Sequence, residues 1–273
     1  MLKRITGPRA IALIVVIAAI AIAAFVAVSR AQGPAQPPAQ RIVVTITQLR
    51  PDMVITWEDL QKNEMIPAQK KTGLPWRHTL GNGASGQSFT RVAIGPLASY
   101  AQLDMPGGFI TRAVSAEANA NYNAKIRPTI LSQQQSILTL QVDESILSNS
   151  TTIQPLQLVQ VFHVAPGKGA DFAASLREDY LPAYKKAGVK DYWVYNTNQG
   201  QPGTVLVRPI ANYAELDKPA LLVQAGLTQD QQTKIAARRN ATLGGATETE
   251  VYRFIPELSY GTPKPPAPVR STN

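Results

Sequence analysis

Two histidines, His78 and His163, supply all the imidazole chemistry of this sequence, and no cysteine accompanies them. Without cysteine there is no disulfide, no thiolate metal ligand, no cysteine nucleophile and no lipid-modified cysteine. The histidines show no His-x-x-x-His spacing and no carboxylates cluster near them, so no resident metal or cofactor is expected. Ser85 lies in "NGASGQS" but lacks the strand-elbow-helix setting and the base that a hydrolase nucleophile needs. The more useful chemistry is aromatic. Gln160 and Phe162 lead into His163, while Trp193 and Tyr195 alternate in "DYWVYN" and so share one face of a strand. Together with His78, these residues form the candidate ligand-binding set. Flat rings with a few polar groups suit the binding of a small apolar or aromatic molecule, and no residue is assigned a catalytic role.

The elements that must position these side chains are written twice. "MIPAQKKTG" (65–73) and "YLPAYKKAG" (180–188) share five of nine residues, and "PLASYAQLDMP" (96–106) and "PIANYAELDKP" (209–219) share seven of eleven, in the same order. Such ordered self-similarity marks an internal duplication. Each copy reads β-α-β-β-α-β. The first strands are expected at 42–49 and 156–164 and the first helices at 56–71 and 170–186, with Thr56 and Asp171 as N-caps. Pro67 and Pro182 fall late in those helices and must bend or loosen them, and Gly73 and Gly188 supply a left-handed stop. Further strands are expected at 76–80 and 191–195, at 88–94 and 204–208, and at 136–142 and 248–255, with helix at 115–134 and 228–240. Tyr100, Leu103, Tyr213 and Leu216 are spaced to cover the core. The Gly-rich stretches 81–88 and 196–203 read as hairpin connections, since no P-loop lysine pattern follows them. In the first strands Val44, Ile46, Val159 and Val161 form one face. If that face meets the helices, then Thr45, Thr47, Gln160 and Phe162 line the space between the two halves.

The domain plan follows: a leader over 1–31, a Pro-rich linker over 32–40, repeat 1 over 41–150, repeat 2 over 151–260 and a Pro-rich tail over 261–273. Residues 10–28 are 19 consecutive apolar residues preceded by Lys3, Arg4 and Arg9. At about 1.5 Å per residue such a helix matches the hydrocarbon thickness of a bilayer. It reads either as a retained membrane anchor or as a cleaved signal peptide ending near Ser29-Arg30-Ala31. Both readings export the folded part to the periplasm or cell envelope, with the N-terminus left in the cytoplasm. Of the net charge of +9, four units flank the leader. The remaining basic residues form no run or stripe, which speaks against nucleic acid as a partner. Self-association into a homo-oligomer stays open.

The helix-to-Gly phrase (65–73, 180–188) and the strand-to-Tyr-Ala-x-Leu-Asp phrase (96–104, 209–217) resemble the dimeric α/β-barrel superfamily of ferredoxin-like modules. More narrowly they resemble its antibiotic-biosynthesis-monooxygenase-like and NIPSNAP-like groups. The resemblance covers most of 41–260. It implies an α+β fold in which two ferredoxin-like β-α-β-β-α-β repeats pack sheet to sheet as an intrachain α/β barrel, preceded by an N-terminal hydrophobic helix. It also implies an enclosed cavity. The functional expectation is a non-catalytic protein binding a small ligand or a protein. Two alternatives come with the resemblance: a cofactor-independent monooxygenase acting on an aromatic or quinol substrate, and a haem protein with His163 or His78 as axial ligand.

Overall fold

The computed structural model describes residues 40–84, 86–104, 114–148, 152–200 and 202–261. Runs rich in β-branched residues become eight strands: β1 (Arg41–Leu49), β2 (His78–Asn82), β3 (Thr90–Leu97), β4 (Ile130–Leu140), β5 (Leu156–Phe162), β6 (Trp193–Gln199), β7 (Thr204–Ile210) and β8 (Glu248–Phe254). They close into one antiparallel barrel in the order β1-β3-β2-β8-β5-β7-β6-β4. Each half contributes a four-stranded sheet, β4-β1-β3-β2 and β8-β5-β7-β6, so the same order appears twice. Two joints close the circle. At one, Leu80, Gly81 and Asn82 of β2 face Phe254, Arg253 and Tyr252 of β8. At the other, Leu138, Thr139 and Leu140 of β4 face Thr197, Asn196 and Tyr195 of β6. One isolated bridge lengthens each joint, Arg77 with Tyr260 and Ile146 with Tyr192. The expected pair of packed ferredoxin-like repeats is therefore a single closed barrel with pseudo-twofold symmetry.

The first helix of each half explains the repeated phrase. In the first half, α1 (Val54–Leu60) runs into a π turn (Gln61–Met65) and on into α2 (Ile66–Lys71). In the second, α3 (Gly169–Ser175) runs through a π turn (Leu176–Tyr180) into α4 (Leu181–Lys186). Pro67 and Pro182 stand just after the π turns. Proline offers no N–H and its ring crowds the carbonyl four residues back; widening the preceding turn relieves that contact without ending the helix. Gly73 and Gly188 then take φ of 80° and 81°. The next residues, Leu74 and Val189, donate back to the Gln69 and Tyr184 carbonyls at 3.3 and 3.0 Å. This is the Schellman stop that the sequence predicts.

Several expectations are corrected. Thr56 and Asp171 lie inside their helices rather than at N-caps; side-chain caps belong instead to Ser115 and Thr228, which open α5 (Ala116–Ile126) and α7 (Gln229–Asn240), with α6 (Leu221–Gln224) between α4 and α7. The stretch 130–134 is strand, not helix. Leu103 and Leu216 sit on 3₁₀ turns and are exposed. Tyr213 serves the opposite half, where its hydroxyl accepts the Ala84 N–H at 2.7 Å and so fixes that half's hairpin. A Cβ on Gly83 would collide with that hydroxyl and with the Val251 carbonyl, so the hairpin needs glycine there.

The two faces of β1 and β5 are also the reverse of the expectation. Val44, Ile46, Val159 and Val161 point into the barrel. Phe162 points outward into the helix layer, 1% exposed, with its ring 5.5 Å from that of Phe172. Thr47 is likewise outside the barrel lumen, where Gln133 donates to its hydroxyl. The physical reason is that a barrel buries both faces of its sheet, so apolar alternation alone does not say which face meets the helices. No helix among the described residues is long and apolar enough to cross a membrane, and the apolar run 10–28, the linker 32–39 and the tail from 262 lie outside the described residues.

Because Phe162 is a helix-layer core residue, Phe162→Ala should lower folding stability by roughly 3–5 kcal/mol. A urea or guanidinium midpoint checks this. Unchanged stability would contradict the placement.

Candidate binding cavity

The inner face of the barrel encloses a cavity of about 390 Å³. Its walls are chiefly aliphatic and aromatic: alternate residues of every strand turn inward, among them Val44, Leu138, Val159 and Val207, with rings from Trp76, Trp193, Tyr195 and Phe254. Part of the interior is solid, where Ile42, Trp76 and Leu138 pack together against Tyr195 and Val205. The charged lining is one-sided. Glu248 and Glu250 on β8 and Asp191 before β6 face the cavity, and no lysine or arginine lines it among the described residues. A low-dielectric chamber with that lining favours a neutral or cationic guest over an anion.

His78 is one of the polar groups set in this apolar wall. It opens β2 and sits between two rings, 5.1 Å from Trp76 and 5.4 Å from Phe254, centroid to centroid. Its Nε2 is buried with no hydrogen-bond partner among the described residues. Burial pushes the imidazole's pKa below its ordinary value of 6.5, opposed by a hydrogen bond with the Gly261 backbone. The ring is thus held neutral near pH 7, with one nitrogen available to a guest. Trp193, the residue at the matching place in the second half, also lines the cavity, as does Tyr195. Burial raises the pKa of the Tyr195 hydroxyl, so it stays a neutral phenol.

Three of the six sequence-predicted site residues therefore meet in the barrel: His78, Trp193 and Tyr195. The other three do not. Phe162 belongs to the helix layer, Gln160 faces outward with its amide near the Thr249 hydroxyl, and His163 lies beyond β5 at the rim, paired with Glu248 at 2.9 Å. Gln160 and Phe162 miss because the faces are reversed; His163, of the opposite parity, misses because β5 ends at Phe162, before it. Sequence reasoning also passed over the last strand, whose Glu248, Glu250, Tyr252 and Phe254 all line the cavity. Period two puts these four on one face of "ETEVYRF", but the stretch has no clean apolar–polar alternation to mark that face as the lumen. Tyr252 donates to Glu250, and burial, helped by that carboxylate, raises the phenol's pKa.

A haem ligand fits poorly. His163 is engaged by Glu248 outside the cavity, and aromatic rings flank His78, leaving little room for a porphyrin face beside its Nε2. No group of three metal-ligating side chains occurs among the described residues.

His78 gives a pH dependence with a defined sign. Its folded pKa lies below its unfolded one, so the unfolded chain binds more protons and stability falls as pH drops below about 6.5, towards the folded pKa. His78→Gln should flatten that part of the profile relative to the parent chain. Parallel denaturant titrations at pH 7.5 and 5.5 measure it, and equal slopes in both proteins would disprove the buried neutral state.

No family model matches the sequence, and no curated protein matches it. Solved structures do match the fold. An anthrone oxidase-like protein aligns over 81% of this chain and 92% of its own at 9% identity, with a TM-score of 0.53. A proposed monooxygenase from Fusobacterium nucleatum aligns over 80% of this chain and 94% of its own at 9% identity, with a TM-score of 0.52. At that identity the likeness is one of fold: the chain shares the duplicated ferredoxin-like barrel of these proteins.

Proposed function

We propose that the barrel is a non-catalytic receptor for a small, flat, largely apolar molecule that is neutral or cationic. The observation carrying this reading is the enclosed aromatic and aliphatic cavity, in which the charged lining is acidic and His78 Nε2 lacks a partner. Trp193 and Trp76 supply stacking surface, His78 supplies one directional hydrogen bond, and the carboxylates at the wall repel anions. The sequence supports placing this receptor outside the cytoplasmic membrane, tethered or released by the leader 1–31.

The second reading is a cofactor-free oxygenase, and one observation favours it: a neutral imidazole nitrogen in an apolar cavity is a competent base. His78 Nε2 would accept the proton of a phenol or quinol, leaving an electron-rich anion to react with dioxygen. Oxygen uptake with a quinol that is abolished in His78→Phe would favour this reading, and no uptake would favour the receptor.

The receptor is tested by titrating the full-length chain with 1-naphthylmethanol, 1-naphthylmethylammonium and 1-naphthoate while following tryptophan fluorescence. The alcohol and the ammonium should bind, and Trp193→Ala should weaken both by about tenfold, the loss of one stacked ring and its buried area. Binding that ignores Trp193→Ala would place the guest elsewhere.

A further inference from the structure

A second chamber lies on the other side of the second half's sheet, between its outer face and the helices, with a volume of about 660 Å³. Its lining is opposite in charge to that of the barrel. Arg208 reaches it from β7 and Arg239 from α7, and no carboxylate lines it among the described residues. Neither guanidinium forms an ion pair among the described residues. Arg239 donates to the side-chain carbonyl of its neighbour Asn240 and is stacked 5.2 Å over the Tyr180 ring and 5.3 Å over that of Phe162. Three tyrosines form the wall. Tyr180, Tyr184 and Tyr192 make an edge-to-face ladder with centroids 5.7 and 5.0 Å apart. Tyr192 is 3% exposed, and neither its hydroxyl nor that of Tyr184 has a hydrogen-bond partner among the described residues. Burial drives the pKa of both phenols up, to about 12 for Tyr184, so both keep their protons and can donate.

The duplication shows what this place looks like without such a chamber. Arg77 stands where Tyr192 does, 115 residues earlier, and Gln69 stands for Tyr184. Arg77 is 3% exposed and donates to Gln61 at 2.7 Å, to Gln69 at 3.1 Å and to Thr79 at 3.2 Å, while Gln61 donates to the Tyr122 hydroxyl at 2.7 Å. In the first half, a buried, hydrogen-bonded plug occupies the layer between sheet and helices. In the second half the same layer holds unsatisfied phenols and guanidiniums without ion-pair partners around open space. The phenol oxygens of Tyr184 and Tyr192 are not sealed off by their neighbours, so whatever fills the chamber can accept from both.

We infer that this chamber binds a planar aromatic carboxylate, its carboxylate held by Arg208 and Arg239 and its ring against the Tyr180–Tyr184–Tyr192 ladder. Guanidinium pairs a carboxylate through two parallel N–H donors, and the phenols donate to the remaining lone pairs. The site is separate from the barrel cavity and does not depend on the function proposed for it.

The test is calorimetric titration of the full-length chain with anthraquinone-2-carboxylate and with anthraquinone-2-carboxamide, its uncharged isostere. The carboxylate should bind at least about tenfold more tightly, and more weakly as salt rises. Arg208→Met and Arg239→Met should each cost about tenfold to a hundredfold, the loss of a charged hydrogen-bonding partner, and Arg208→Lys should cost less. Lys168→Met, which removes an exposed cation elsewhere, should cost nothing. Circular dichroism and melting curves establish that the variants are folded; should an arginine variant unfold, the carboxylate-to-carboxamide ratio in the parent chain and the effect of Tyr192→Phe, expected to be a several-fold loss, decide the matter. No binding of the carboxylate, equal binding of the carboxamide, or arginine variants that bind like the parent would overturn the assignment.

Discussion

An open four-stranded sheet has two edges whose N–H and C=O groups need partners. Each half of this chain has the same two edges, β2 and β4 in one and β6 and β8 in the other. Pairing β2 with β8 and β4 with β6 satisfies all four at once and turns two open sheets into a closed wall. Everything else rests on that closure. The lumen exists because the bare sheet faces look at one another across it. The bridges Arg77–Tyr260 and Ile146–Tyr192 carry the closure past the strand ends, and the Gly83 hairpin reaches across the joint to hydrogen-bond with Val251.

The duplicated phrases could be read in the sequence because they are backbone chemistry. Proline without a donor and glycine at positive φ act locally, and their consequences, a loosened helix followed by a left-handed stop, appear at Pro67, Pro182, Gly73 and Gly188. What could not be read was orientation. Period two separates Val159 and Val161 from Gln160 and Phe162 correctly, but in a barrel both sets are covered, one by the lumen and one by helices. Polar content misleads here, since the helix layer accepts a polar residue that finds a partner, as Thr47 does with Gln133. The early start of β4 was hidden for another reason. "SQQQS" has no apolar alternation, and it becomes strand because β1 lies beside it, with Gln133 and Gln135 donating to Thr47 and Thr45.

Duplication set up two equal halves, and their side chains have since parted. His78 faces Trp193 across the symmetry, and the acidic pair Glu248 and Glu250 matches Gln134 and Ser136 on β4. Surface ion pairs are among the features kept: Lys125–Glu64 in the first half corresponds to Arg238–Asp179 in the second. Such exposed pairs contribute little stability, so their persistence reflects shared geometry more than need.

The second half's sheet is a partition one strand-layer thick. Val207 looks into the acid-lined lumen while its neighbour Arg208 looks into the arginine-lined pocket behind it. Consecutive residues of β7 therefore live in rooms of opposite electrical character. Deleting or inserting a single residue there would exchange the furnishings of the two rooms, placing a guanidinium among aliphatic walls and an aliphatic stub where an anion would dock. Strand length in this partition is thus constrained twice over, once by folding and once by the chemistry on either side, and insertions that the hairpin tips absorb easily would be ruinous a few residues away.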